Sequence, residues 1–154
     1  MKITSTLLMS LICIQLFACK SNMKIEPLNN SNITPNTDPM KLKVTVGSAA
    51  FTAILHNNAT ATEFKSMLPM TINMTELNGN EKYFDLPGNL PTSASNPGTI
   101  QTGDLMLYGS NTLVLFYKKF STSYNYTRLA RIDNSTGLAA ALGSGSITVK
   151  FELE

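Results

Sequence analysis

Tyr124-Asn-Tyr-Thr-Arg128 brings two phenols and a guanidinium into one short run. With Tyr83 and Tyr117 from elsewhere in the chain, and Glu76 as an acidic candidate, it is the grouping best suited to recognise a ligand. A tyrosine offers an apolar face and a hydroxyl, and an arginine grips a carboxylate or a carbonyl at two points. The structural alternative is that the rings line a wall while Arg128 pairs with Glu76 or Asp85. Other groups are weaker candidates. His56 is the only histidine, so a zinc site or a histidine-based triad lacks its usual partners, and it reads as a turn residue. Glu76, Asp85 and Asp104 are candidates for paired carboxylates, but carboxylates at strand ends are ordinarily solvated. Gly103-Asp104 reads as a turn whose Asp side chain bonds nearby backbone amides. No residue is assigned a catalytic role, and no motif asks for a metal or a cofactor.

The pattern predicts that mostly strands position these side chains. The densest apolar stretch past the N-terminus is 100–120, where 105–108 and 113–117 flank Gly109-Ser110-Asn111; this spacing predicts two strands and a tight hairpin. Their apolarity is continuous, which implies that both faces are covered. Upstream, Lys41–Val46 alternates, Gly47-Ser48 turns, and 50–56 returns. Thr60-Ala-Thr-Glu63 has the form of a capping box, opening a helix over 59–67 with Ala61, Phe64 and Leu68 on one face and Pro69 as its stop. The runs 70–74 and 83–86 form a second hairpin around Asn78-Gly79, the type I′ signature. Residues 87–97 make a long irregular loop of the kind that forms functional rims. A short strand over 128–132 follows. Asp133-Asn-Ser-Thr136 caps a short helix over 137–142 that Gly143 ends, and Ile147–Leu153 closes the chain as a strand. The inventory is mainly β, and a closed antiparallel eight-stranded barrel with one or two capping helices is the economical arrangement, because closure removes exposed edges.

Composition narrows the function. A chain of 154 residues with 43% hydrophobic content has room for one domain with a real core beyond a targeting segment. Its charged fraction of 14% lies below the roughly 25% of an average soluble protein. A net charge of +2, two arginines and no basic block leave no electrostatic stripe to track a phosphate backbone, which argues against nucleic acid as a partner. Met1-Lys2 is a short basic start, and 3–17 is an apolar run too short for a comfortable membrane span; with the small residue that follows, this is the pattern of an export signal. From Lys20 to Met40 the chain turns to Asn, Ser, Thr and Pro, including Pro27, Pro35 and Pro39. About 20 flexible residues span roughly 25 Å, which describes a tether.

Two resemblances sharpen this. Leu16-Phe17-Ala18-Cys19 resembles the lipobox of bacterial lipoproteins, which implies that Cys19 carries a lipid and becomes the mature N-terminus. The signal is then 1–18, the tether 19–40 and the folded domain 41–154. Cys13 is lost with the signal, so the mature chain keeps no free thiol or disulfide. In the domain, Gly79-Asn-Glu-Lys-Tyr-Phe-Asp-Leu-Pro87, Gly98-Thr-Ile100, Gly103-Asp-Leu-Met-Leu-Tyr-Gly109, Leu113-Val-Leu-Phe-Tyr-Lys118 and Thr122-Ser-Tyr-Asn-Tyr-Thr-Arg-Leu-Ala-Arg-Ile132 resemble, in order and spacing, the bacterial cyclophilin-like proteins. That resemblance implies an eight-stranded barrel closed by helices. True cyclophilins are prolyl isomerases with an Arg-x-x-x-x-Phe-x-x-Gln run, a tryptophan and a histidine around the proline. Here Arg128 is followed at those offsets by Asp133 and Thr136, Arg131 by Thr136 and Ala139, and there is no tryptophan.

The expectation is therefore a monomeric lipoprotein, held by its lipid on a bacterial envelope membrane, facing the periplasm and slightly favouring the outer membrane. Its barrel binds a small molecule or a peptide segment, with Arg128, Tyr126, Tyr124, Tyr117, Tyr83 and Glu76 as candidate contacts and no catalysis. The alternatives are a divergent prolyl isomerase and an envelope assembly module.

Overall fold

A computed structural model of the chain describes residues 40–154; the expected signal, Cys19 and the tether up to residue 39 lie outside them. The elements, in chain order, are β1 (Lys41–Val46), β2 (Ala49–Leu55), α1 (Ala59–Ser66), β3 (Met70–Leu77), β4 (Glu81–Asp85), β5 (Thr99–Ile100), β6 (Asp104–Tyr108), β7 (Thr112–Phe116), β8 (Phe120–Ser121), β9 (Thr127–Ile132), α2 (Leu138–Leu142) and β10 (Ile147–Leu153). Eight of the strands close into an antiparallel barrel in the order β1-β10-β3-β4-β7-β6-β9-β2, the architecture the strand pattern predicts. The other two, β5 and β8, pair separately. Two-residue strands leave no periodicity, and none is expected there from sequence.

Alternation decides which face of each strand goes inside. Leu42, Val44 and Val46 of β1, Ile72 and Met74 of β3, and Val149 and Phe151 of β10 point into one core while their neighbours face water. The central hairpin has no polar face. Leu105, Leu107, Leu113 and Leu115 fill the barrel, whereas Met106, Val114 and Phe116 join Ile100 and Tyr126 in a second core. The continuous apolar runs therefore record a sheet covered on both sides.

The helix starts differ from expectation. The cap of α1 is Asn58, whose side chain accepts from the Ala61 amide at 2.8 Å. Thr60 is buried and its hydroxyl donates to the Pro91 carbonyl at 2.6 Å, so no Thr60–Glu63 capping box forms. An asparagine placed one position before the helix satisfies an orphan amide of the first turn, that of Ala61, and Thr60 is left to fasten the long loop. Ala61 and Phe64 are fully buried, and Phe64 meets Phe151 edge to face at 6.0 Å. Nor do residues 133–136 cap α2. Gly137 does so at φ 83° without a side-chain bond, and Asn134 instead accepts from the Thr136 amide in a turn.

Candidate functional site

Strand β4 leaves the Asn78-Gly79 turn, where φ values of 56° and 67° match the paired left-handed conformation of a type I′ turn. The period of two then sets Glu81, Tyr83 and Asp85 on one face of β4. That face lies outside the barrel, because Tyr83 sits opposite Val114 and Asp85 opposite Thr112, and Val114 belongs to the outer core. Tyr108, at the end of β6, is opposite Thr112 on the other side. The segment after β8 returns over this face and adds Tyr124 and Tyr126. Together with Leu77 and Asn78 these residues surround a hollow of about 430 Å³, within the size range of small-molecule sites.

The rings stand at different angles. Tyr108 and Tyr124 are 6.1 Å apart at 89°, Tyr108 and Tyr126 are 5.6 Å apart at 51°, and Tyr126 meets Phe116 at 5.4 Å and 88°. These are favourable edge-to-face or tilted contacts, and they tie the exposed rings to the outer core. The long loop anchors them further, since Ser95 and Tyr126 exchange two backbone hydrogen bonds of 3.0 Å. The long loop 87–97 thus helps to hold Tyr126 in place.

The charges in the hollow are all negative: its lining contains Glu81 and Asp85 and no lysine, arginine or histidine. Asp85 is exposed and accepts from the Thr112 hydroxyl at 2.7 Å. Glu81 is only 9% exposed, and among the described residues its carboxylate has no hydrogen-bond donor. Burial first, and then the charge of Glu76, push its pKa above the usual carboxylate value. Burial and the nearby Glu81 charge likewise push the Tyr126 phenol up.

The candidates named from sequence divide. Tyr83, Tyr124 and Tyr126 meet in the hollow, while Tyr117 and Glu76 belong to a separate, partly buried network. The Tyr117 hydroxyl and the Gly79 amide each donate to Glu76 Oε1 at 2.8 Å. Lys82, fully buried, donates to the other Glu76 oxygen and to the carbonyls of Gly143 and Gly145 at 2.9 and 2.6 Å. All three ammonium protons are thereby satisfied, so the network ties the β3–β4 hairpin to the segment after α2. Burial raises the Glu76 pKa, but the bonds from Lys82 and Tyr117, the Lys82 charge and the Gly79 amide overrule it and hold the carboxyl below its usual range. Burial and Glu76 push the Tyr117 phenol up to about 12.

Arg128 joins neither group. A bulge in β9 places it opposite Met106 with Leu129 as the extra residue, and it is exposed, outside the lining of the hollow. Its charge falls on His56, whose pKa is lowered by burial first and by Arg128 next. It makes no ion pair with Glu76 or Asp85 among the described residues, so the structural alternative offered for it does not hold either. Glu76, Asp85 and Asp104 do not share a site. Asp104 is buried in its turn, accepting from the Gln101 amide at 2.8 Å with Arg131 3.7 Å away, as Gly103-Asp104 predicts. Sequence reasoning missed Tyr108, Glu81 and Asp85 as lining residues. The available signal was the register: counting by two from the Asn78-Gly79 turn puts Glu81 and Asp85 on the face of Tyr83.

Residues 44–152 match the model of the cyclophilin-like family. Among solved structures, the solution structure of a hypothetical protein from Archaeoglobus fulgidus is similar, with a TM-score of 0.53 at 20% identity over 75% of this chain and 95% of that one, a likeness of fold alone. No curated protein matches the sequence.

Proposed function

The chain belongs to the cyclophilin-like family, and from that premise we propose that it is a membrane-anchored bacterial lipoprotein whose barrel binds a small molecule or a peptide segment without transforming it. The observation that carries the binding role is the hollow of Tyr83, Tyr108, Tyr124 and Tyr126 on the outer face of a closed sheet. A concave aromatic lining with a few polar groups suits a ligand, whereas ordinary surface carries solvated side chains. Binding is favoured over isomerisation by the make-up of the lining. Isomerisation needs a donor aimed at the imide nitrogen of a substrate proline, and the arginine available for that task, Arg128, stands outside the hollow. The anchor is supported by the Leu16-Phe17-Ala18-Cys19 pattern after an apolar run of signal length, and the spacing from membrane to barrel by the Pro- and Asn-rich stretch that follows.

A screen of small molecules and short proline-containing peptides against the full chain tests the role, read on the tyrosine ring resonances. The expected result is saturable shifts that Tyr108→Ala abolishes. A prolyl isomerisation rate above background that disappears in Tyr126→Ala would replace binding with catalysis. Cys19→Ala is expected to release the protein from membranes, and continued attachment of that variant would count against lipidation.

A further inference from the structure

We propose that the ligand is an organic cation: a small molecule bearing an alkylated ammonium group, seated among Tyr83, Tyr108, Tyr124 and Tyr126 with Glu81 as its counter-charge. This rests on the binding role given to the hollow above and specifies its substrate class. The sign of the charge is the first ground. The whole chain is net positive at +2, yet this lining carries two carboxylates and no basic residue. An anionic ligand would meet repulsion from both.

Glu81 is the second and independent ground. Glu81, 9% exposed as a residue and without a protein donor, is solvated through the open hollow, and a ligand that fills the hollow must replace that solvation. Neighbouring buried charge is handled in the opposite way: Lys82, one residue on, has a partner for every proton. A neutral ligand would leave Glu81 unpaired, whereas a cation completes it. The upward push that burial gives the Glu81 pKa has the same origin and is relieved by an incoming positive charge.

The rings supply the third ground. Tyrosine faces attract ammonium groups through the ring quadrupole, and alkylated ammonium is the form that tyrosine cages recognise. Rings tilted at 89° and 51° about Tyr108 present walls on several sides of one space, as enclosing a roughly spherical cation requires. Tyr124 is 61% exposed and Tyr108 46%, large for rings with no partner to cover them.

Titrating choline against its neutral carbon isostere, dimethylbutanol, into the full chain in a nonionic detergent decides the matter. Choline is expected to bind at least about tenfold more tightly than the alcohol, and Glu81→Gln, which keeps the shape and removes the charge, to erase about that factor. Equal binding of choline and dimethylbutanol, or an unchanged choline affinity in Glu81→Gln, overturns the cation assignment and leaves the binding role intact. If choline fails while neutral or anionic compounds from the screen bind, the class is likewise wrong. If nothing shifts the rings, the binding role falls with it. The same ammonium chemistry occurs in a lipid headgroup. Capture of the Cys19→Ala chain by phosphatidylcholine vesicles but not by phosphatidylglycerol vesicles assigns that source, and binding of free choline alone assigns a soluble ligand; either upholds the proposal.

Discussion

Glu81 and Glu76 lie on adjacent strands and are treated in opposite ways. Glu76 has donors from Lys82, Tyr117 and Gly79, so its folded pKa sits below the unfolded value near 4.5. Its contribution to stability is present above that value and is lost as pH falls through the folded pKa. Tyr117→Phe removes one donor. It is expected to cost about 1 kcal/mol at neutral pH and to move the acid loss of stability to higher pH, measured by denaturant melts across the acid range. Glu81 has the reverse sign. Its folded pKa is raised by burial and by Glu76, so the native state holds its proton longer than the unfolded chain does. Stability then declines as pH rises from the unfolded pKa through the folded one. Glu81→Gln is therefore expected to stabilise the free protein at neutral pH by on the order of 1 kcal/mol, about 4 °C in Tm, with no gain below pH 4 or so, where both states are protonated. A residue whose removal stabilises the fold but weakens choline binding about tenfold is maintained for binding. Loss of stability in Glu81→Gln at neutral pH would mean that the carboxylate has a structural partner.

At the level of elements, turns fix the register that puts these side chains on their faces. Gly103 has φ +90°, and an added Cβ would stand 2.9 Å from the Ile132 Cβ and 3.4 Å from the Ile132 carbonyl oxygen. Gly109 has φ +59° and open space around it. Gly109→Ala is therefore expected to cost about 1 kcal/mol from backbone conformation alone, and Gly103→Ala about 2–3 kcal/mol because the neighbouring strand must also move. Chemical denaturation of the two variants checks the difference, and equal losses would mean that β9 yields without cost. The same elements explain what sequence revealed. β1 and β10 alternate cleanly, and the apolar runs of β6 and β7 betrayed a second layer. The Asn78-Gly79 turn marks its hairpin from local sequence alone. Asn58 and Thr60 both stand near the helix start, and their roles differ through partners far along the chain, the Arg128 carbonyl for the Asn58 amide group and the Pro91 carbonyl for the Thr60 hydroxyl. Arg128 misled for a related reason: it shares the outer face of β9 with Tyr126 but lies opposite Met106, two residues further from the Tyr108 end of β6 where the hollow sits, and period-two spacing does not show how far along a strand a site extends. Glu81 and Tyr108 look like solvated strand ends until the strands are paired.

At the scale of the whole molecule the described residues form two apolar cores with different positions. The inner one draws on strands all round the barrel and on Phe64, Leu138 and Leu142 of the helices. The outer one joins three barrel residues, Met106, Val114 and Phe116, to Ile100 and Tyr126 from segments laid over the sheet. The hollow stands on this outer core, through the Phe116–Tyr126 contact. Its supporting segments meet each other through the short β5–β8 pair, the Ser95–Tyr126 bridge and the hydrogen bonds from the Thr122 amide to the Gly98 carbonyl and from the Ser93 amide to the Thr127 hydroxyl, so they form the natural unit of partial opening. Ile100→Ala removes a fully buried side chain, a change of about 2–5 kcal/mol. Its effect is expected to concentrate in faster amide exchange over residues 95–101 and 120–127 and in weaker choline binding, with β1, β3 and β10 little changed. Phe64→Ala, of about 3–5 kcal/mol, is expected to lower global stability while the folded fraction keeps its affinity. If instead Ile100→Ala speeds exchange uniformly around the barrel, the two cores form one cooperative unit, and the site cannot soften without unfolding the sheet beneath it. A barrel that stays closed while its outer layer opens would let a ligand enter without exposing strand edges, because the edges were already paired by closure.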